Sequence, residues 1–405
     1  MPSGDVQGMA PVDTHLLRAF AEDVFEPLQR ADQRRWAQAY LRALLSLPGK
    51  KTLRRLAAAV APTMQAAHGL QQFINNSPWE WTPVRRAVSR SVATLGRPRA
   101  WSVAEVTIPK RGEHSVGVHR RFDTESGRAV NCQVAMGLFM VTDSTCVPTD
   151  WSLLLGDAWC GDEQRRARAR IPASVEAQPA GAHILDFAAR VAMCGLMGEA
   201  PWVLDLRPYP DAGAVLDGLV RHGADFVCEV SAEQLVRLPQ AGPPTGAVAE
   251  LAAHSPTRQS HRVVRPGLPG GSEPFTVHVG QIRLAPAAGQ ASGGNQAAAG
   301  LRCTYLSVAR PAPQGRRPER FWITSLTGHQ VEEIMALARS AAVVGRCVAD
   351  LQEHYGVQDF EGRSFPGWHH HMTMISAAYA FRQLNPPAPE ALSSLTSGCV
   401  RRRCS

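Results

Sequence analysis

The sequence predicts a mixed α/β protein, with a sheet flanked by helices, a helical N-terminal segment and a β-rich insertion. Three observations carry this. Apolar residues recur at helical spacing up to about residue 98. From residue 100 the period changes to β-branched runs of strand length. Adjacent strands are then followed by alternating helix and strand, the order of a mixed sheet. The chain has 405 residues, 44% hydrophobic and 19% charged, a globular composition with length enough for a large core.

The elements follow in order. Leu16, Leu17, Phe20, Val24 and Phe25 mark a first helix, and Trp36, Tyr40, Leu41, Leu44 and Leu45 a second. Pro48-Gly49 breaks the chain, and Leu53, Leu56, Ala57 and Val60 form a short amphipathic stretch. Ser77-Pro78-Trp79-Glu80 reads as a helix start, with Ser77 as N-cap and Glu80 closing a capping box. Strands are expected at Trp101–Ile108, Ser115–His119, Val130–Val141 and Thr149–Leu155. A helix over His183–Cys194, a strand over Trp202–Leu206, a helix over Ala212–His222 and a strand over Asp225–Val230 follow. Residues 232–317 are rich in Gly, Pro, Ala and Ser, with strands at Phe275–Leu284 and Arg302–Ala309 and a flexible loop over Ala285–Gly300. Phe321–Leu326 closes the sheet, Val331–Tyr355 reads as one long helix and Trp368–Leu384 as another. The expected organisation is a basic helical domain over 1–98, a core in two parts over 99–231 and 318–385, the insertion over 232–317, and a loose tail over 386–405.

The formal net charge is +8. Between Gln33 and Ala100 stand twelve basic residues against one acid, Glu80, an excess of eleven that exceeds that of the whole chain. A localised basic segment favours a polyanionic partner, and duplex DNA is the expected one. The candidate DNA-binding residues are Lys50, Lys51, Arg54 and Arg55, then Arg85, Arg86 and Arg90, then Lys110, Arg120 and Arg121. No stretch approaches the roughly 18 apolar residues of a membrane span, and Met1–Asp13 carries two acids and no base, unlike a signal peptide. The nine cysteines are scattered without a CxxC pair, which argues against a zinc site or a disulfide framework and fits a reducing cytoplasm.

Several blocks, in order, resemble the DDE transposases of bacterial insertion sequences. They are Tyr40–Leu45, Leu70–Phe73, Trp79–Trp81, Pro109–Val118, Asn131–Val134, Asp157–Trp159 with Arg165-Arg166 and Ile171-Pro172, and Glu361–His371. The resemblance implies an RNase H-like core in which three carboxylates from separate segments hold two divalent metals for phosphodiester chemistry. It places Glu105 on the first catalytic aspartate and Ala104 on its neighbour, ahead of Pro109-Lys110. Asp205 takes the second position, with Tyr209-Pro210 four residues on, where the family has Tyr-Gly three residues on. The third acid belongs eleven residues before Gly356 and falls on Gly345, with the family's Arg-Trp pair on Ala341-Ala342. Ile334–Ala349 contains no acid at all.

Two of the three acidic positions are therefore changed. The expected function is a transposase-derived DNA binder in which metal-dependent cleavage and strand transfer are lost or severely reduced. The alternatives are an active DNA transposase, or a recruited protein whose vacated cleft takes a small molecule or protein. Glu105 and Asp205 are the candidate metal ligands. Mg2+ is implied if that site works, and no cofactor otherwise. A homodimer is implied by the resemblance alone. His369-His370-His371 points three ways on a helix, about 100° apart, so it is read as structural or DNA-proximal. His114 and His119 carry no metal assignment. Neither a nucleophile elbow, a P-loop nor a dinucleotide fingerprint is present.

Overall fold

The computed structural model describes residues 12–123, 127–194, 200–238, 245–254, 258–263, 275–285, 302–308 and 320–386. The expected loop over Ala285–Gly300 and the tail lie almost wholly outside these residues. Five helices come first: α1 (Thr14–Val24), α2 (Ala31–Ser46), α3 (Leu53–Val60), α4 (Met64–Asn75) and α5 (Trp81–Ala93). Strands β1 (Ala100–Pro109), β2 (His119–Asp123), β3 (Arg128–Val141) and β4 (Cys146–Leu153) follow, then short helices α6 (Asp157–Cys160) and α7 (Glu163–Ala169). Next come α8 (Ala180–Met193), β5 (Trp202–Asp205), α9 (Ala212–Arg221), β6 (Phe226–Val230), β7 (Leu235–Arg237), β8 (Thr245–Ala247) and α10 (Val248–Ala253). The chain continues through β9 (Gln259–Val263), β10 (Phe275–Leu284), β11 (Arg302–Val308) and β12 (Arg320–Thr324). It ends with α11 (Val331–Ala338), α12 (Ser340–His354) and α13 (Phe365–Leu384).

These residues fall into two compact units: one holds 1–97, 104–178 and 345–405, the other 98–103 and 179–344. In the second unit the start of β1 pairs parallel with β5, at Trp101 opposite Trp202, and β5 pairs parallel with β6. From β6 outward the order is β12, β11, β10, β7 and β8, all antiparallel, with β9 also on β10. The result is a mixed sheet, as the residue pattern predicts.

The first unit is built around α13. Its residues Phe365 and Gly367–Phe381 are buried without interruption, so the helix has no solvent face along that length. Ser364 caps its start, accepting from the Gly367 amide at 3.2 Å. Phe20 of α1 meets Phe381 edge to face at 5.5 Å, and the Trp151 indole of β4 donates to Ser376 Oγ at 2.8 Å. The three consecutive histidines diverge, as their helical spacing requires. His369 stacks on Trp81 at 4.4 Å, and His370 stacks on Trp79 at 3.9 Å. His371 Nδ1 accepts from the Tyr40 hydroxyl at 2.8 Å, while its Nε2 donates to the Gly356 carbonyl at 3.0 Å. That pairing suits a neutral ring.

Four local expectations are corrected. Helix α5 starts at Trp81 with Glu80 as its N-cap, not at Ser77. Ser77 instead accepts from Gln33 Nε2 at 3.0 Å, and the buried Trp79 indole donates to the Phe73 carbonyl. Ser115–Val118 is a turn, closed by a Val118 N–H to Ser115 O bond and by Gly117 at φ 74°, so the strand begins at His119. The long helix of 331–355 is two helices that meet at Arg339. Arg85, expected on a DNA-facing surface, is 3% exposed. It bonds Asp150 at 2.7 Å, the Trp151 carbonyl at 2.9 Å, Thr373 at 2.8 Å and the His369 carbonyl at 3.1 Å.

Two predictions follow from this core. Arg85→Ala strands the Asp150 carboxylate and several buried acceptors, and is expected to lower unfolding free energy by about 3–5 kcal/mol in chemical denaturation. A shift under 1 kcal/mol would contradict it. The second concerns His371, whose imidazolium is disfavoured chiefly by burial, which pushes its pKa down to about 4. Folding therefore prefers the neutral ring. The stability it confers is complete above an unfolded value of about 6.5 and is lost as the pH falls from there toward 4. The His371 imidazole resonance should titrate near pH 4 by NMR, with the denaturation midpoint falling across the same window.

Candidate functional site

The first acid, Glu105, lies on β1 where the strand alternates buried Val106 and Ile108 with the more exposed Glu105 and Thr107. Its carboxylate accepts from Arg121 Nη1 on β2 at 3.1 Å. One expected DNA-binding residue is thus the ion-pair partner of an expected metal ligand.

The second acid, Asp205, ends β5 and stands in register with Glu229 of β6. Neighbours in parallel register present side chains to the same face, so two carboxylates meet there. Guanidinium groups link them. Arg207 Nε and Nη2 bond the two oxygens of Asp205 at 2.8 and 2.5 Å, and Arg207 Nη1 reaches Glu229 at 3.2 Å. Arg320 Nε donates to Glu229 at 2.6 Å, with a second bond from its Nη2. Glu229 is 4% exposed, and a carboxylate at that depth needs paired charge. The hydrogen bond to Asp205 is the main reason that Arg207 holds its proton above the usual arginine value. The sequence reading missed Glu229 and Arg207. The available signal was a lone acid inside the apolar strand Phe226-Val227-Cys228-Glu229-Val230.

At the third position, Gly345 lies exposed within α12, and nothing stands within 4 Å of where its Cβ would be. A larger side chain has room there. Among the described residues, no group of three or more His, Cys, Asp or Glu side chains is arranged to hold a metal.

The expected basic residues divide. Lys50, Arg54, Arg86, Arg90 and Arg120 are exposed. Arg55 is exposed but donates to the carbonyls of Lys50 and Pro48, both at 3.0 Å. Lys51, expected on the DNA-facing surface, is buried instead, with its amide donating to Asp359 at 2.6 Å and its amine to the Leu47 carbonyl. Lys110 donates to the Phe360 carbonyl at 2.6 Å. Burial is the main cause that pushes both amines down to about 8. Lys51 and Arg54 line a cavity of about 380 Å³ with Tyr40, Asp359, Glu361 and His371.

A family model described as DDE superfamily endonuclease matches residues 23–266. The chain belongs to the DDE superfamily of endonucleases. Its mixed sheet flanked by helices is consistent with the RNase H-like fold of that superfamily. No curated protein matches the sequence. Membership implies DNA as the substrate class. No helix among the described residues is long and apolar enough to cross a membrane. The matched segment contains Glu105 and Asp205 and ends before Gly345. Nucleases of this superfamily typically use divalent metals, and oxygen donors are what such ions require. At the three positions the resemblance assigns, Gly345 carries no carboxylate, Glu105 accepts from Arg121, and both oxygens of Asp205 are bonded to Arg207.

Gly345→Glu replaces a helix-interior glycine at an exposed, open position. It is expected to raise stability by about 0.5 kcal/mol through helix propensity alone. A loss of more than 1 kcal/mol in denaturation would show that the position does not tolerate a side chain.

Proposed function

We propose that this DDE superfamily member is a transposase-derived DNA-binding protein in which metal-dependent strand cleavage and transfer are lost or severely reduced. The observation that carries this is the commitment of Asp205 to Arg207 through both carboxylate oxygens, in a chain with glycine at position 345. A metal at Asp205 would have to displace two charge-assisted hydrogen bonds, and position 345, where the resemblance expects the third acid, holds glycine. The exposed cations Lys50, Arg54, Arg86, Arg90 and Arg120 support a surface for the phosphate backbone. Such a protein would act by occupying DNA, as a repressor or an architectural binder.

The test has two parts. Anisotropy of labelled duplex DNA across a salt series should show binding that weakens steeply as salt rises. Incubation of the same complex with Mg2+ should give no cleavage that depends on Asp205. Cleavage by the wild-type chain that Asp205→Ala abolishes would overturn the proposal in favour of an active transposase. No binding at low salt would remove DNA from its function.

A further inference from the structure

A second concavity, of about 160 Å³, lies wholly within the first unit and contains none of the three acid positions. Arg165, Arg168, Arg363 and His114 line it, with Trp159 and the single carboxylate of Glu113. Three of the sequence blocks that carry the family resemblance meet here: Glu113 and His114 come from Pro109–Val118, Trp159 and Arg165 from the block that opens at Asp157, and Arg363 from Glu361–His371.

The local structure explains how. The Trp159 indole donates to the Val118 carbonyl at 2.8 Å, which fixes a buried ring as a platform. The Arg165 guanidinium lies over that ring, 5.5 Å from its centroid, and reaches Asp162 at 3.6 Å. Arg166 is spent on structure, donating to the carbonyls of Cys160 and Pro172. Arg170 ends α7 with φ 54° and donates to Ser364 Oγ at 2.8 Å. That bond ties the end of α7 to the residue that follows Arg363. Arg168 and Arg363 are both exposed, and among the described residues neither guanidinium has a hydrogen-bond or ion-pair partner.

Three arginines line one small space, two of them with no hydrogen-bond or ion-pair partner for their guanidinium groups among the described residues, and planar forked donors of this kind suit a tetrahedral oxyanion. We propose that this pocket seats one phosphodiester group of the DNA backbone. Arg168 and Arg363 donate to its non-bridging oxygens, and Arg165 is braced on Trp159. The proposal rests on the DNA-binding reading above and adds to it the place where a phosphate is held. Glu113 opposes the anion and sets the sign of a second effect.

The test is anisotropy of a labelled duplex with the full chain, comparing wild type, Arg168→Ala/Arg363→Ala, Arg168→Lys/Arg363→Lys and Glu113→Gln. The double alanine variant should bind on the order of ten- to a hundredfold more weakly at low salt. Its plot of log affinity against log salt should be shallower by about one, the value for one lost phosphate contact. The double lysine variant should recover the slope, and Glu113→Gln should bind roughly two- to fivefold more tightly. If wild type binds DNA and all three variants match it in affinity and slope, the pocket proposal falls and the DNA-binding reading stands. If wild type does not bind DNA, both fall. Inorganic phosphate is the competing probe. If it binds in a manner lost in the double alanine variant while DNA affinity is unaffected, the pocket takes a free anion and the backbone assignment is overturned.

Discussion

A helix buried along most of its length holds its polar side chains at low cost only where they find partners in their own directions. Helix α13 carries three consecutive imidazoles, a threonine and a serine into the centre of the first unit. The elements packed on it are placed by those demands. Strand β4 supplies the Trp151 indole for Ser376, and α5 supplies Arg85 for Thr373 and the His369 carbonyl. Helix α2 supplies Tyr40 for His371, and the residues around α4 and α5 offer the Ile74 and Trp79 carbonyls to His370. Each bond joins residues far apart in sequence, so the first unit closes around the helix only when the N-terminal helices and the strands are both in place. The aromatic stacks of Trp79 and Trp81 on two of the rings add contact area to the same positions.

The same dependence explains why a count of charges overstates the free basic surface. Arginine serves two purposes in this chain. Arg85, Arg166 and Arg170 use their forked donors to satisfy carbonyls and hydroxyls inside the fold or at its turns. Lys51 and Lys110 do likewise with single carbonyls. What remains for a polyanion is a smaller set, in which exposure and the absence of a carboxylate partner matter more than position in a basic run.

Elements with a strong local pattern were legible. Strand β10 falls on the expected residues, and β1, β3, α8, β5, α9, β6, β11, β12 and α13 lie within a few residues of expectation. The failures have a common physical origin. Ser77 has the chemistry of an N-cap, but its hydroxyl is engaged by Gln33, 44 residues away. Nothing in Leu337-Ala338-Arg339-Ser340 marks the break between α11 and α12, because no proline or glycine is there. Glu105 and Asp205 were singled out from ordered blocks, yet their arginine partners were not. Arg121 meets Glu105 only through strand pairing, and Arg320 meets Glu229 only because β12 lies beside β6. Pairings of that kind are decided by register, which a linear reading does not contain.

The acid pair on β5 and β6 shows how arginines can neutralise two neighbouring carboxylates. Glu229 is buried, and an unpaired ionised carboxylate there would cost several kcal/mol. Two guanidinium groups offset that cost, and Arg207 extends the neutralisation to Asp205 within the same network. Removing Arg207 would leave Asp205 without its bidentate donor and Glu229 with Arg320 alone. The acids and arginines are therefore mutually dependent, and the stability of this sheet is reason enough for an acid at Asp205. An aspartate at the end of β5 is thus weak evidence by itself for metal chemistry there. The chemistry turns on the group facing that acid, and here it is an arginine two residues along the same chain.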